Sequence, residues 1–163
     1  MIIGFTGTRN GMTDRQLTAA EFVIKKLLKQ AYNPYIPHHH GLHGDCIGAD
    51  ADFNTVCISL NLKTWIRPCT LKDLRAYCDG EVIADPVKPM KRNQAIVTQS
   101  TVMVACPPND KELKRSGTWA TIRMARRAKK PLYILFPGGK IQIENLEVKN
   151  GIKRVSKISV NNG

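Results

Sequence analysis

Short apolar runs alternate with helix-period stretches along almost the whole chain, and that alternation limits the fold more than any other feature. Ile2 to Thr6 reads as a short apolar strand. Thr13-Asp14-Arg15-Gln16 then fits a capping box, and Ala20, Val23, Ile24, Leu27, Leu28 and Ala31 form one helical stripe behind it. Tyr35 to His39 is a second, poorer strand, interrupted by Pro37. Ala49 to Leu60 is helical, with Phe53, Val56, Cys57 and Leu60 on one face, and Leu62 to Ile66 is a third strand stopped at Pro68. Cys69 to Lys88 is irregular. Met90 to Ser100 is a short helix, and Thr101 to Cys106 is a strand closed by Pro107 and Pro108. A helix beginning at Gly117 carries Ile122, Met124, Ala125 and Ala128 at helical spacing. The strand Leu132 to Phe136 ends in Pro137-Gly138-Gly139. Lys140 to Val148 and Ile152 to Val160 alternate and flank Asn150-Gly151, a hairpin signal.

This order predicts an α/β fold, a Rossmann-like three-layer sandwich with a mostly parallel sheet and a C-terminal β-hairpin. Residues 1–139 form the ligand-binding domain, and residues 140–163 add the hairpin to that same domain. Ligands of such sheets bind at the carboxyl ends of the strands, near a switch in strand order. Four loops gather at that edge: Gly7 to Gly11, His40 to Asp50, the segment beyond Ile66, and the approach to Ser116-Gly117-Thr118. The last of these opens S-G-T-W-A-T-I-R, Ser116 to Arg123. Gly117 lets a ligand approach the backbone closely. The hydroxyls of Ser116, Thr118 and Thr121, with the free N–H groups of a helix start, suit an anion. Ser116 or Thr118 also suits a plain helix cap.

Charge points the same way without naming a partner. The 163 residues carry 25 Lys and Arg against 13 Asp and Glu, a net charge of +12 that favours anionic partners. Eight of those cations, against the single acid Glu112, lie between Lys111 and Lys130. Arg126, Arg127, Lys129 and Lys130 among them also complement a helix C-terminus. Aromatic residues make up only 6% and do not interleave with the basic ones, so no single-strand stacking groove is expected. No apolar run reaches the ~20 residues a membrane span requires, and Met1 to Phe5 is too short an apolar stretch for a signal peptide. Five cysteines, odd in number, read as reduced thiols, so a cytoplasmic protein is expected, in a host cytoplasm if phage-encoded. His38, His39, His40, His43 and Cys46 match no standard zinc spacing, and no metal site is expected. No cofactor is expected either. The chain has no G-x-S-x-G and no G-K-[ST] motif, which argues against serine hydrolases and P-loop NTPases.

G-F-T-G-T-R (Gly4 to Arg9), H-G-D-C-I-G-A-D (His43 to Asp50), K-R-N-Q-A-I-V (Lys91 to Val97) and S-G-T-W-A-T-I-R together resemble, in order, the motifs of the SLOG superfamily. That group includes the Lonely-guy phosphoribohydrolases, the DNA-processing protein A domain and nucleotide-sensing domains of antiphage systems. The likeness covers Met1 to Gly139 and is strongest to small stand-alone bacterial and phage members. It implies a nucleotide-binding domain, commonly a homo-oligomer (dimer or tetramer). Carried over by position, Gly7, Thr8 and Arg9 line the first loop. Gly44, Asp45, Gly48 and Asp50 shape the second, with Asp45 or Asp50 placed to accept ribose hydroxyls. Arg92 and Asn93 face the pocket, and Gly117, Thr118 and Thr121 hold the phosphate. Asp50 could instead cap its helix, and Arg9 could pair on the surface.

One departure bears on activity. Lonely-guy enzymes carry P-G-G-x-G-T-x-x-E, whose Glu assists cleavage of the N-glycosidic bond. Here Thr121 stands in its place, and Arg115-Ser116 replaces the paired glycines. A threonine cannot act as a carboxylate base or stabilise an oxocarbenium ion. The expectation is therefore binding with no catalytic residue. The ligand is a small phosphorylated nucleotide or nucleotide-derived signal of ADP-ribose or cyclic-nucleotide type, which a sensor or a sequestering phage anti-defence protein would hold. The alternatives are a nucleoside-monophosphate phosphoribohydrolase or N-glycosidase, and a DNA-binding protein related to DNA-processing protein A.

Overall fold

The computed structural model describes residues 1–32 and 38–146, together with the backbone of 155–160. Its strands are β1 (Ile2–Gly7), β2 (His40–His43), β3 (Lys63–Ile66), β4 (Val82–Ile83), β5 (Val102–Cys106), β6 (Leu132–Leu135), β7 (Ile141–Leu146) and β8 (Val155–Val160). Its helices are α1 (Asp14–Gln30), α2 (Ala49–Ser59), α3 (Pro89–Gln99) and α4 (Gly117–Arg127). A single 3-10 turn covers Lys72–Leu74. The strands form one sheet in the order β4-β3-β2-β1-β5-β6-β7-β8. Pairing is parallel from β4 through β6 and antiparallel from β6 to β8.

Two apolar layers enclose the sheet. On one face Ala20, Val23, Ile24 and Leu27 of α1 and Phe53, Val56 and Cys57 of α2 pack on Ile3, Phe5, Val104 and Leu135. On the other, Ile96 and Val97 of α3 and Trp119, Ile122 and Ala125 of α4 pack on Leu42, Met103, Leu132 and Ile134. Phe5 and Phe53 stack with ring centroids 4.4 Å apart. The architecture is the expected three-layer α/β sandwich, and among the described residues no helix is long and apolar enough to cross a membrane.

The second strand lies later than the sequence pattern places it. β2 is His40–His43, in register with β1 at Ile2↔His40 and Gly4↔Leu42. His38 and His39 precede it, and residues 35–37 of the expected strand lie outside the described residues. The pattern failed because H-G-L-H offers one large apolar side chain. Its glycine is required by packing: a Cβ at Gly41 would sit 2.7 Å from Cys57 Sγ, so α2 could not lie against the strand. The segment from Cys69 to Lys88 also holds the short strand β4, which no alternation announces. The Asn150-Gly151 turn lies outside the described residues.

The capping box at α1 forms as expected. Thr13 accepts from the Gln16 backbone N–H, and the Gln16 side chain accepts from Thr13 N. The buried Gln16 amide also donates to Pro107 O and Leu135 O, both at 2.9 Å. One side chain thus starts α1 and ties down the carboxyl ends of β5 and β6. Gln16→Ala leaves two buried carbonyls without donors and is expected to cost about 2–3 kcal/mol. Urea unfolding should show that loss with an unchanged m-value, and a loss below ~0.5 kcal/mol would contradict this role for Gln16.

Candidate functional site

Because β1 pairs with β2 on one side and β5 on the other, the crossovers leave β1 in opposite directions and the loops beyond β1 and β5 part. The cleft between them has a volume of about 460 Å³, within the range of small-molecule sites. Gly7, Thr8, Arg9, Asp50, Arg92, Asn93, Ser116, Gly117, Thr118 and Thr121 all line it. Segments distant in sequence therefore meet at one place.

The start of α4 forms one end of the cleft. Ser116 is its N-cap and accepts from Trp119 N at 3.3 Å. That leaves the N–H groups of Gly117 and Thr118 without an acceptor among the described residues. Gly117 is exposed, and a Cβ there would meet nothing within 4 Å, so packing does not demand this glycine. Thr118 is 6% exposed, yet its hydroxyl has no hydrogen-bond partner among the described residues. Thr121 Oγ1 donates back to Gly117 O at 2.9 Å. Its proton is thereby committed to the helix and unavailable to a ligand.

Arg92 enters from the first turn of α3 and is 7% exposed. Its guanidinium donates to Gly44 O and, at 3.3 Å, to Cys46 Sγ, and lies 3.9 Å from Asp50 Oδ2. Burial alone would lower its pKa, but Asp50 and Cys46 outweigh that effect and hold it above the ordinary arginine value. Its buried Nε has no partner among the described residues. Asp50 Oδ2 also accepts from Cys46 N at 3.0 Å, so the carboxylate at the start of α2 is engaged from two sides. Burial first, and then Asp50, pushes the Cys46 thiol up, which keeps it protonated near neutrality.

Gly44 and Gly48 shape the second loop but do not line the cleft. Any side chain at Gly44 would strike the Arg92 guanidinium. Gly48, at φ +85°, passes so closely under the first loop that a Cβ would run into the Arg9 carbonyl oxygen. Thr8 O accepts from Ala49 N at 3.0 Å across the same crossing. Asp45 is placed differently from the expectation that it meets ribose. It is fully buried away from the cleft, and its carboxylate accepts from Arg75 Nε and Cys78 N, both at 2.8 Å. Buried and outside the cleft lining, this carboxylate is out of reach of a ligand hydroxyl there.

Several lining residues are not among those the sequence singles out as ligand-binding. Leu71 and Leu74 come from the irregular segment, Met90 and Ile96 from α3, and Leu113 and Arg115 from the approach to α4. Leu71, Leu74 and Leu113 are isolated aliphatics outside the regular strands and α-helices, with no periodicity to mark them. Arg9 and Arg115 are exposed and have no carboxylate partner among the described residues. The basic cluster beyond them is partly neutralised: Arg123 and Arg126 pair with Glu112, and Arg126 also with Glu144. The histidine run sits at the opposite edge of the sheet, where His40 bonds Glu81 at 2.9 Å and His39 Nδ1 lies 3.2 Å from the Met1 amine. Among the described residues no group of three or more His, Cys, Asp or Glu is placed to hold a metal ion.

Comparison with solved structures gives a clear likeness of fold. The molybdenum cofactor binding protein from the phototrophic bacterium Rippkaea orientalis superposes with a TM-score of 0.61 at 18% identity, over 83% of this chain and 76% of that one. The molybdenum cofactor carrier protein of Chlamydomonas reinhardtii gives 0.54 at 18% identity, over 82% and 74% of the two chains. A second structure of the Chlamydomonas reinhardtii carrier gives 0.54 at 20% identity. No family model and no curated protein matches the sequence.

Gly48→Ala tests the crossing of the two loops. The substitution combines a positive φ with a clash against backbone and is expected to cost about 3 kcal/mol. Urea unfolding measures it, and a change below ~0.5 kcal/mol would mean that the loops do not meet this closely.

Proposed function

We propose that the chain is a binding protein for a small phosphorylated nucleotide derivative, with the phosphate at the start of α4. One observation carries this reading. The N–H groups of Gly117 and Thr118 and the Thr118 hydroxyl border a cleft whose lining also holds Arg9 and Arg115, none of the N–H groups or the hydroxyl having a partner, and neither arginine a carboxylate partner, among the described residues. A helix N-terminus of that kind favours an anion through its dipole and its free donors. The resemblance of four ordered motifs to the SLOG superfamily supports a nucleotide. The fold shared with molybdenum cofactor carrier proteins supports small-ligand binding. In this reading the protein senses or sequesters its ligand, a role that fits a phage protein acting against nucleotide-signalled defence.

Binding is favoured over cleavage by the state of the carboxylate in the cleft. Asp50 is held by Arg92 and Cys46 N, and Thr121 takes the place where a hydrolase would keep its Glu. A second reading, carriage of the molybdenum cofactor, is favoured by the fold likeness alone.

Mass spectrometry of the small molecule released on denaturing the purified protein should identify a phosphorylated nucleotide derivative. Calorimetry against mononucleotides, cyclic nucleotides, ADP-ribose and the molybdenum cofactor should then rank it first. Thr118→Val is expected to weaken its binding about tenfold, the effect of one lost hydrogen bond to a charged group. Absence of binding by any of these compounds to the folded protein would refute the proposal. Recovery of free base would replace it with hydrolysis.

A further inference from the structure

The wall of the cleft opposite α4 is the connection between β3 and β4, residues 67–81, and it is built unusually. Parallel neighbouring strands are ordinarily joined by a crossover helix whose apolar face packs on the sheet. Here the crossover holds only the 3-10 turn Lys72–Leu74. A buried carboxylate supplies the attachment in place of a helix face. Asp45, at φ +60° where aspartate is tolerated, accepts from Arg75 Nε and Cys78 N through its side chain and from Ala76 N through its carbonyl. Ile47 N donates to Leu74 O at 2.9 Å beside it.

The anchor is itself held from below. The backbone N–H of Asp45 donates to His43 Nδ1 at 3.1 Å, so the His43 proton lies on Nε2 and is donated to Asn54 Oδ1 at 3.0 Å. Asn54 Nδ2 in turn donates to Asp79 O at 3.3 Å. Residues 74–79 of the strap are thus tied to the second loop and to α2.

What the strap brings to the cleft is apolar. Leu71 and Leu74 line the cavity from it, facing a lining that also includes Met90, Ile96 and Leu113. Leu71, Met90 and Leu113 remain 48%, 55% and 42% exposed, on three separate elements around one opening. Large aliphatic side chains left in water around one cavity mark a surface that a ligand covers. Among the described residues no aromatic side chain lines the cleft from the strap side, so coverage there is by apolar contact on leucine and methionine rather than by stacking.

We infer that the cleft is divided into an anion end on α4 and a ring end on the strap, and that Asp45 is the positioning residue that sets selection for the ring. This rests on the phosphate-binding reading above. For the nucleotide of that reading, the base is the part that meets the aliphatic strap; sugar phosphates and inorganic polyphosphates fill only the anion end. Asp45 touches no ligand in this scheme and acts through Arg75, Ala76 and Cys78 on Leu71 and Leu74.

Calorimetry with three probes separates the ends: inorganic phosphate, ribose 5-phosphate, and the four nucleoside 5′-monophosphates AMP, GMP, CMP and UMP. The wild-type protein should bind its preferred monophosphate at least tenfold more tightly than ribose 5-phosphate, with ribose 5-phosphate close to phosphate. Asp45→Asn, which keeps an acceptor and the φ tolerance but repels one of the two donors, should lower that ratio toward one while phosphate affinity stays within twofold. Leu71→Ala, at a half-exposed position, should lower the ratio severalfold without unfolding the protein, and so reads the same quantity if Asp45→Asn does not fold. If the wild type shows no ratio between nucleotide and ribose 5-phosphate, the ring end is refuted while phosphate binding stands. If Asp45→Asn and Leu71→Ala weaken phosphate as much as nucleotide, or change neither, the division is refuted. If the wild type binds none of the probes, the underlying phosphate reading fails and this inference fails with it.

Discussion

The parallel pairing of β1 with β2 on one side and β5 on the other is the constraint from which the rest of the molecule follows. A right-handed crossover starting from β1 can pack on only one face. α1 and α2 therefore cover one face as the chain moves out to β3, and α3 and α4 cover the other as it moves out to β6. Helices antiparallel to their strands put their N-termini at the carboxyl edge. That edge thus collects free N–H groups whatever the loop sequences are, and the loops decide which stay free. At α1 Thr13 caps Gln16 N and at α4 Ser116 caps Trp119 N, each leaving the first two helical N–H groups without an acceptor among the described residues, but of those residues only Gly117 and Thr118, in α4, line the cleft.

Two buried charges near this edge are handled in opposite ways. The Asp45 carboxylate receives one donor on each oxygen from the strap, from Arg75 and Cys78. Arg92, which lines the cleft, is partnered on its terminal nitrogens by Gly44 O, Cys46 and Asp50, while its buried Nε has no partner among the described residues. Burying a charge is tolerated only when its partners are complete. The first charge is accordingly architectural, and the second lies in the lining of the cleft.

Much of this was readable from the chain. The helical stripe from Ala20 to Leu27, the capping box at Thr13 and the apolar run from Val102 to Cys106 are local patterns, and each forms as its period requires. The gathering of Gly7 to Arg9, Asp50, Arg92 and Ser116 to Thr118 in one cleft was also legible, because a parallel sheet places all such loops at one edge. What was hidden depended on pairings distant in sequence. β2 has one large apolar side chain and is a strand because β1 and β3 flank it. Asp45 looks like a ribose ligand by motif, and only the return of Arg75 and Cys78 shows that it is a tether. Leu71 and Leu74 lie in an aperiodic segment, so their place in the cleft follows from that tether and from nothing local.

The central claim is that an anion sits on the backbone of α4, and amide NMR of the isotopically labelled protein tests it most directly. Titration with inorganic phosphate at low salt should move the Gly117 and Thr118 amide resonances saturably and more than any others, because those N–H groups acquire a charged acceptor. If instead both resonances stay in place while shifts spread without saturation along Arg123 to Lys130, phosphate is meeting only the general positive surface, and the account of the cleft is wrong.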